Sequence, residues 1–127
     1  DANGVSYAGA NGAGSGGGVL LECHRLTGAG AISARGGDNT STGGGRGASG
    51  GGGRVAVWYG RIDPAKREVF LANGPAVVTG VLATPNASVF DGDISAAGGI
   101  GGDHPGVNGS VTFFHFLGAQ GTMILLR

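Results

Sequence analysis

The chain has 127 residues, of which 31 are Gly and 4 are Pro, and its formal net charge at pH 7 is zero. Gly and Pro make about 28% of the chain, but Val, Leu, Ile and Phe make about 23%, which is above the rough 20% floor for disordered chains. The balanced charge argues against a nucleic-acid partner, the single Cys excludes an internal disulfide, and no apolar run is long enough for a membrane span. We therefore expect one packed glycine-rich domain over residues 1–127.

Short apolar runs separated by Gly-rich stretches predict strands. Along the segment 54–59, Arg, Ala and Trp alternate with Val, Val and Tyr, which is the period of a strand with two different faces. Asp63 and Pro64 can begin a helix, but we expect one turn or less. The predicted strands cover residues 19–23, 55–59, 68–72, 75–82, 87–95, 111–116 and 122–126.

Two sequence elements recur along the chain. A Gly run at 12–18 leads into one apolar strand, and a second run at 47–53 leads into another. Gly-Ala-Ile-Ser-Ala-Arg-Gly-Gly at 30–37 is similar to Gly-Asp-Ile-Ser-Ala-Ala-Gly-Gly at 92–99. The repeats, near 12–60 and 88–116, predict an all-β fold of short stacked strands, either a β-solenoid or a β-sandwich, with long Gly-rich loops.

The Gly runs themselves allow two interpretations. Glycine loses the most backbone entropy on ordering, so such segments stay mobile unless their N–H and C=O groups find partners. Without Cβ atoms, however, extended segments of the polyproline II type can approach closely enough to bond one another. Residues 38–53 are therefore either a mobile surface loop or part of a close-packed set of extended segments.

The order of these elements resembles the glycine-rich repeat modules of large secreted or surface-displayed bacterial proteins, which accompany β-helical and adhesin-like modules. The resemblance covers residues 9–60 and, less closely, 88–116. It implies an extracellular or cell-surface location and a structural role. It brings no catalytic residues, so we expect a protein that is not an enzyme and needs no cofactor.

Several patterns with possible chemistry favour ordinary structural roles. Gly-x-Gly-x-x-Gly at 12–17 opens a strand, whereas a dinucleotide site needs it to open a helix. Cys23 and His24 are adjacent on a strand and point to opposite faces, so they cannot form a nucleophilic dyad. We expect Cys23 to pack in the core and His115 to face solvent or a neighbour.

The acidic residues form no complete site in the sequence. Gly-Gly-Ile-Gly-Gly-Asp at 98–103 matches the front of one calcium-binding nonapeptide, but a single copy cannot supply six oxygens. Asp91, Asp93 and Asp103 are the residues that could meet around a cation. Asp91 and Asp93 are also the best available acid pair, although Asp-Gly-Asp is equally a turn sequence.

Three Asn-x-Ser/Thr sequons, at Asn39, Asn86 and Asn108, predict glycosylation sites of a secreted protein. The aromatic residues allow a sugar-stacking surface, but a small core is the expected use of most of them. The aromatic residues concerned are Trp58, Tyr59, Phe113, Phe114 and Phe116.

We expect a non-catalytic structural subunit that assembles with copies of itself into a filament or a surface layer. A carbohydrate-binding or adhesin module, with a surface polysaccharide as partner, is the alternative, and a polysaccharide-cleaving β-helix is a third class. The chain begins at Asp1 within a repeat, so it is either processed or part of a longer chain whose flanks cap both ends. If the chain is complete, the residues predicted to recruit further copies are Tyr7, Met123, Ile124, Leu125 and Leu126.

Overall fold

A computed structural model describes residues 1–74, 78–87 and 89–118. The elements in chain order are β1 (Gly18–Cys23), β2 (Ala31–Ser33), β3 (Arg54–Gly60), α1 (Pro64–Asn73), β4 (Val81–Thr84), β5 (Asp93–Ser95) and β6 (Ser110–Phe116). Strands β1, β3 and β6 are parallel neighbours and β4 pairs antiparallel with β6, so the four-stranded sheet has the order β1-β3-β6-β4. Strands β2 and β5 form a separate parallel pair. The all-β prediction is therefore confirmed in its coarser form, as a β-rich fold that also contains one helix.

The alternation along β3 divides the apolar side chains between two clusters. Val55 and Val57 pack with Ile32 of β2 and Ile94 of β5, so this cluster lies between the two sheets. Trp58 points the other way, into a cluster that contains Phe116 and Phe70 of α1. The central strand is therefore covered on both faces, by β2-β5 on one side and by the helix on the other.

From the pattern we expect one core that includes Val78 and Val111, and this prediction is wrong for those two residues. Val78 packs in the cluster under α1, and Val111 is 36% exposed because β4 pairs only with the later half of β6. The remaining predicted residues all belong to the cluster between the sheets. They are Val19, Leu21, Ile32, Val55, Val57, Ile94 and Phe113.

The helix is longer than the single turn predicted, and it replaces the strand predicted at 68–72. The side chain of Asp63 accepts a hydrogen bond from the Ala65 N–H at 2.8 Å, and the Gly74 N–H donates to the Phe70 carbonyl. Phe70 meets the Trp58 ring edge-on at 4.9 Å. Both ends are capped and an aromatic residue is buried, so tertiary packing outweighs the β propensity of the run from Val69.

Two other predicted strands are shorter than expected. Strand β4 begins at Val81, after a turn at residues 79–80, and positions 75–77 of the predicted strand lie outside the described residues. Strand β5 occupies only Asp93–Ser95 of the predicted 87–95, because bends at residues 89 and 92 interrupt the extended backbone before it. The strand predicted at 122–126 lies outside the described residues.

Six extended segments continue the sheets and contain most of the glycine. Backbone hydrogen bonds join neighbouring segments at three-residue intervals, as when the N–H groups of Gly50 and Gly53 donate to the carbonyls of Gly37 and Ala34. Three residues is the period of polyproline II. This bonding favours the close-packed interpretation of the Gly runs, and within 38–53 an exposed turn remains at 42–46. We call the six segments the glycine lattice: residues 2–7, 12–17, 33–39, 47–53, 95–101 and 104–109.

The lattice has two rows that follow the order of the strands. Segments 12–17, 47–53 and 104–109 lead directly into β1, β3 and β6, which are neighbours in the sheet. Segments 33–39 and 95–101 follow β2 and β5, which are also neighbours. One strand order therefore runs through the whole described structure, with side chains between the layers in one half and close backbone contact in the other.

Candidate functional site

A cleft of about 510 Å³ lies where β1, β3 and β6 end. Because these strands are parallel, their carboxyl ends meet at one edge of the sheet, and the residues after each strand are brought together. His24 and Arg25 follow β1, Arg61 follows β3, and Gly118 follows β6. Val89, from the loop after β4, lines the cleft as well.

Reciprocal hydrogen bonds fix the entrance of the cleft. The Gly60 N–H donates to the His24 carbonyl at 2.9 Å, and the His24 Nδ1 donates to the Gly60 carbonyl at 3.0 Å. Since a carbonyl only accepts, Nδ1 carries the proton. Gly60 has φ 99°, and a Cβ there would lie 2.7 Å from Cδ2 of His115 and would overlap the Phe116 carbonyl oxygen. Position 60 therefore requires glycine.

An aromatic stack forms part of the cleft wall. The rings of Tyr59 and His115 lie 4.6 Å apart and are nearly parallel, at 4°. The Tyr59 hydroxyl lies 2.9 Å from Oγ1 of Thr84, which ties the stack to β4. Tyr59 is buried, so the His115 ring is the more accessible member of the pair.

The cleft has an excess of positive charge. Arg25 and Arg61 line it together with two histidines, and no Asp or Glu is among its lining residues. In the described parts of the chain, the ion pairs join Arg67 to Glu22 and to Glu68, so neither cleft arginine has an acidic partner there. The chain as a whole is neutral, and this local excess therefore comes from the fold.

The second candidate site is the outer edge of β1, which has no strand partner within residues 1–74, 78–87 and 89–118. The Arg54 N–H donates to the Gly17 carbonyl at 2.9 Å and the register pairs Gly18 with Arg54. In a parallel ladder with this register, the N–H groups of Leu20 and Glu22 point away from β3. Two backbone donors and two acceptors are thus presented at this edge.

The other end of the same sheet is the edge of β4. The Leu117 N–H donates to the Gly80 carbonyl at 2.7 Å, and Leu82 lies opposite His115 in the register. In this antiparallel ladder the backbone groups of Val81 and Ala83 point outward. Among the described residues, β4 has no second strand partner.

An ion pair holds α1 against β1. The Arg67 guanidinium donates to both carboxylate oxygens of Glu22, from Nε at 2.9 Å and from Nη2 at 2.8 Å. These hydrogen bonds lower the pKa of Glu22, and the same pair raises the pKa of Arg67. The pair lies beside Leu20, which is 48% exposed.

The structure separates the Cys and His residues that were considered together. Cys23 packs against the cluster between the sheets, and burial raises the pKa of its thiol, which keeps it protonated and weakly nucleophilic. His24 instead bonds Gly60 at the cleft. His115 faces a neighbour, Tyr59, as expected.

The acidic residues are not gathered into a site. Asp91, Asp93 and Asp103 are exposed. Within the described residues, no group of three or more His, Cys, Asp and Glu side chains could hold a metal ion. Gly98 and Gly99 belong to the glycine lattice, and the carboxylate that bonds this region is Asp38, which accepts from the Ile100 N–H at 2.8 Å.

The three sequons differ in accessibility. Asn39 is 2% exposed, and its Nδ2 donates to the carbonyls of Gly9 and Asn11 while its Oδ1 accepts from the Ser41 N–H. The fold has no room for a glycan there, so the glycosylation predicted at Asn39 conflicts with this structure. Asn86 and Asn108 are exposed, and their glycosylation stays a prediction.

Of the predicted assembly residues, Tyr7 is partly exposed, in the outermost segment of the lattice. Met123, Ile124, Leu125 and Leu126 lie outside the described residues. The aromatic side chains do pack in the two clusters and not in an exposed row. Trp58, Tyr59 and Phe116 are buried, and Phe113 and Phe114 are half-buried.

Sequence reasoning missed the two cleft arginines. The available signal was that a basic residue follows both β1 and β3, but it has meaning only once these strands are known to be parallel neighbours.

No family model, no curated protein and no solved structure matches this chain. No helix among the described residues has the length and hydrophobicity needed to cross a membrane.

Proposed function

We propose that the chain is a non-catalytic structural subunit that assembles with copies of itself through the edges of its four-stranded sheet. In this arrangement β1 of one copy pairs antiparallel with β4 of the next. The observation that carries the proposal is that, in the described residues, the sheet is open at both ends. Unpaired edges accept further strands, and a contact between two different edges repeats without closing, which produces a filament.

Apolar exposure and charge support the same arrangement. Leu20 on β1 is largely exposed, and so is Val5, in the lattice segment that adjoins the 12–17 segment leading into β1. A net charge of zero gives no long-range repulsion between copies. Neither edge has the proline or the lysine that protects many natural edge strands.

We also propose that the β2-β5 pair and the four-stranded sheet form a sandwich-like stack that the glycine lattice extends. The resemblance to glycine-rich repeat modules of secreted bacterial proteins supports an extracellular or cell-surface location.

Proline substitutions test the edge pairing directly. Leu20→Pro removes an outward N–H and leaves the bonds to β3 in place, and Pro is tolerated on an edge strand in this orientation. Ala83→Pro does the same on β4. Leu20→Ala keeps the N–H and is the matched control. We expect sedimentation velocity and electron microscopy to show filaments for the unmodified chain and for Leu20→Ala, and monomers for both Pro variants with unchanged circular dichroism.

Other outcomes would identify a different interface or refute self-assembly. A dimer that is abolished by Leu20→Pro alone would mean that two β1 edges pair, which contradicts the filament. Assembly that survives both Pro variants but is lost on deletion of residues 122–127 would assign the contact to the tail. An unmodified chain that sediments as a monomer at high concentration would refute self-assembly.

A further inference from the structure

The cleft at the carboxyl ends of β1, β3 and β6 has the properties of a preformed anion site. Two separate strands position its charged groups, with Arg25 after β1 and Arg61 after β3, so the site is assembled by the fold and not by one flexible loop. The His24–Gly60 hydrogen bonds and the Tyr59–His115 stack hold the walls before any ligand arrives. Such preorganisation reduces the entropy lost on binding.

The two arginines favour an oxyanion as the ligand. A guanidinium presents a planar fork of donors that matches two oxygens of a carboxylate or a phosphate in two-point contact. The Arg61 N–H donates to the Phe116 carbonyl at 2.9 Å, and its side chain packs closely over Gly118. Arg25 reaches the same cleft from the end of β1. Neither guanidinium has an ion-pair partner in the described part of the chain.

The remaining walls define the body of the ligand. The cleft volume of about 510 Å³ exceeds that of a bare carboxylate and lies within the usual range of small-molecule sites. Leu26, Val89 and Leu117 supply apolar surface, and His24 and His115 supply ring nitrogens. A sugar ring needs both kinds of contact, because its C–H faces are apolar and its hydroxyl groups need hydrogen-bond partners.

We propose that this cleft binds a uronate, a sugar ring that carries a carboxylate. Arg25 and Arg61 bind the carboxylate, and the ring lies against the imidazole of His115. The site is separate from the β1 and β4 edges used for assembly, so the two proposals fail independently. The uronate is either a free sugar acid or a unit of an acidic polysaccharide.

Calorimetric titration of the full chain with galacturonate, trigalacturonate, galactose and inorganic sulfate tests the proposal. We expect saturable binding of galacturonate and at least about tenfold weaker binding of neutral galactose, since a hydrogen bond to a charged group contributes about a factor of ten or more. Tighter binding of the trimer than of the monomer would indicate a polysaccharide, and equal binding a free sugar acid.

Substitutions then locate the site. Arg25→Gln and Arg61→Gln should each weaken galacturonate binding about tenfold or more. Arg46 lies in the exposed turn at 42–46. Arg46→Gln removes the same charge as the cleft substitutions and should leave binding unchanged. Arg25→Gln is the variant to rely on if Arg61→Gln disturbs folding through Gly118. The proposal is overturned by no saturable galacturonate binding, by sulfate binding as tightly as galacturonate, or by equal effects of all three substitutions.

Discussion

Replacing Gly50 by Ala should lower the free energy of unfolding more than replacing a glycine in the exposed turn at 42–46. Gly50 lies inside the glycine lattice, where its N–H donates to the Gly37 carbonyl and its own carbonyl accepts from the Gly99 N–H, both at 2.9 Å. A Cβ at this position would overlap the Gly14 carbonyl and lie 3.1 Å from the Gly37 nitrogen. The obstacles are backbone atoms, so no side-chain rotation can relieve them.

The magnitude follows from two contributions. Overpacking a filled interior typically costs about 1–3 kcal/mol. Separating the segments also weakens two hydrogen bonds, each of which contributes about 0.5–1.5 kcal/mol. The expected loss of about 2–6 kcal/mol is a large part of the roughly 5–15 kcal/mol by which a domain of this size is stable. The melting temperature should therefore fall by roughly 10 °C or more.

Thermal and urea unfolding followed by circular dichroism measure this loss, and Gly44→Ala is the matched control. Gly44 lies in the exposed turn, and a Cβ there would have no heavy atom within 4 Å. Its substitution should change stability by less than about 1 kcal/mol, because the only remaining effect is on the entropy of the unfolded chain. Equal midpoints for Gly50→Ala and Gly44→Ala would refute the close packing of the lattice.

Three further predictions concern the remaining parts of the structure. Val57→Ala empties a fully buried position on β3 and should cost about 1–4 kcal/mol; an unchanged melting temperature would mean that β3 is misplaced. Asn39→Ala removes the side-chain donor to the Asn11 carbonyl and leaves the Gly9 carbonyl with only the Gly47 N–H at 3.3 Å. It should cost about 1–3 kcal/mol, and recovery of that loss in Asn39→Asp, which cannot donate, would contradict the assignment. Because the folded-state pKa of Glu22 lies below its ordinary value of 4.5, its contribution to stability is complete above that pH and is lost as the pH falls below it. Urea midpoints measured between roughly pH 6 and pH 3, a range that brackets a carboxyl pKa, should fall less steeply with decreasing pH in Glu22→Gln than in the unmodified chain. Parallel slopes in the two proteins would exclude the ion pair as the cause.

The strands β1, β3 and β6 could be predicted because a short apolar or aromatic run indicates each of them, and a Gly run precedes β1 and β3. The division of β3 into two faces also followed from the sequence, since Val55, Val57 and Tyr59 share one face and Trp58 lies on the other. Alternation does not say what covers each face. For that reason we expected one core, and Val78 was assigned to the wrong side of the sheet.

The length of the helix and the existence of the cleft were not predicted. The run Glu-Val-Phe-Leu-Ala at 68–72 combines two residues that favour strands, Val69 and Phe70, with three good helix formers, and in the structure it is helical with Phe70 packed against Trp58. Arg25 and Arg61 come together only because β1 and β3 are parallel and in register. The cleft depends on a pairing between distant segments, which single-sequence periodicity does not encode.

The two halves of the described structure obtain their stability in different ways, and this determines where function can lie. In the lattice, main-chain groups bond one another directly and added Cβ atoms would overlap carbonyls at many glycines, so those glycine positions tolerate no side chain and offer no chemical group to a ligand. In the sheet half, burial of side chains between layers provides the stability, and the residues beyond the strand ends are free to carry charge. The cleft arginines should therefore be replaceable at little cost in stability, whereas substitution of a lattice glycine such as Gly50 should unfold the protein without altering any group that a ligand contacts.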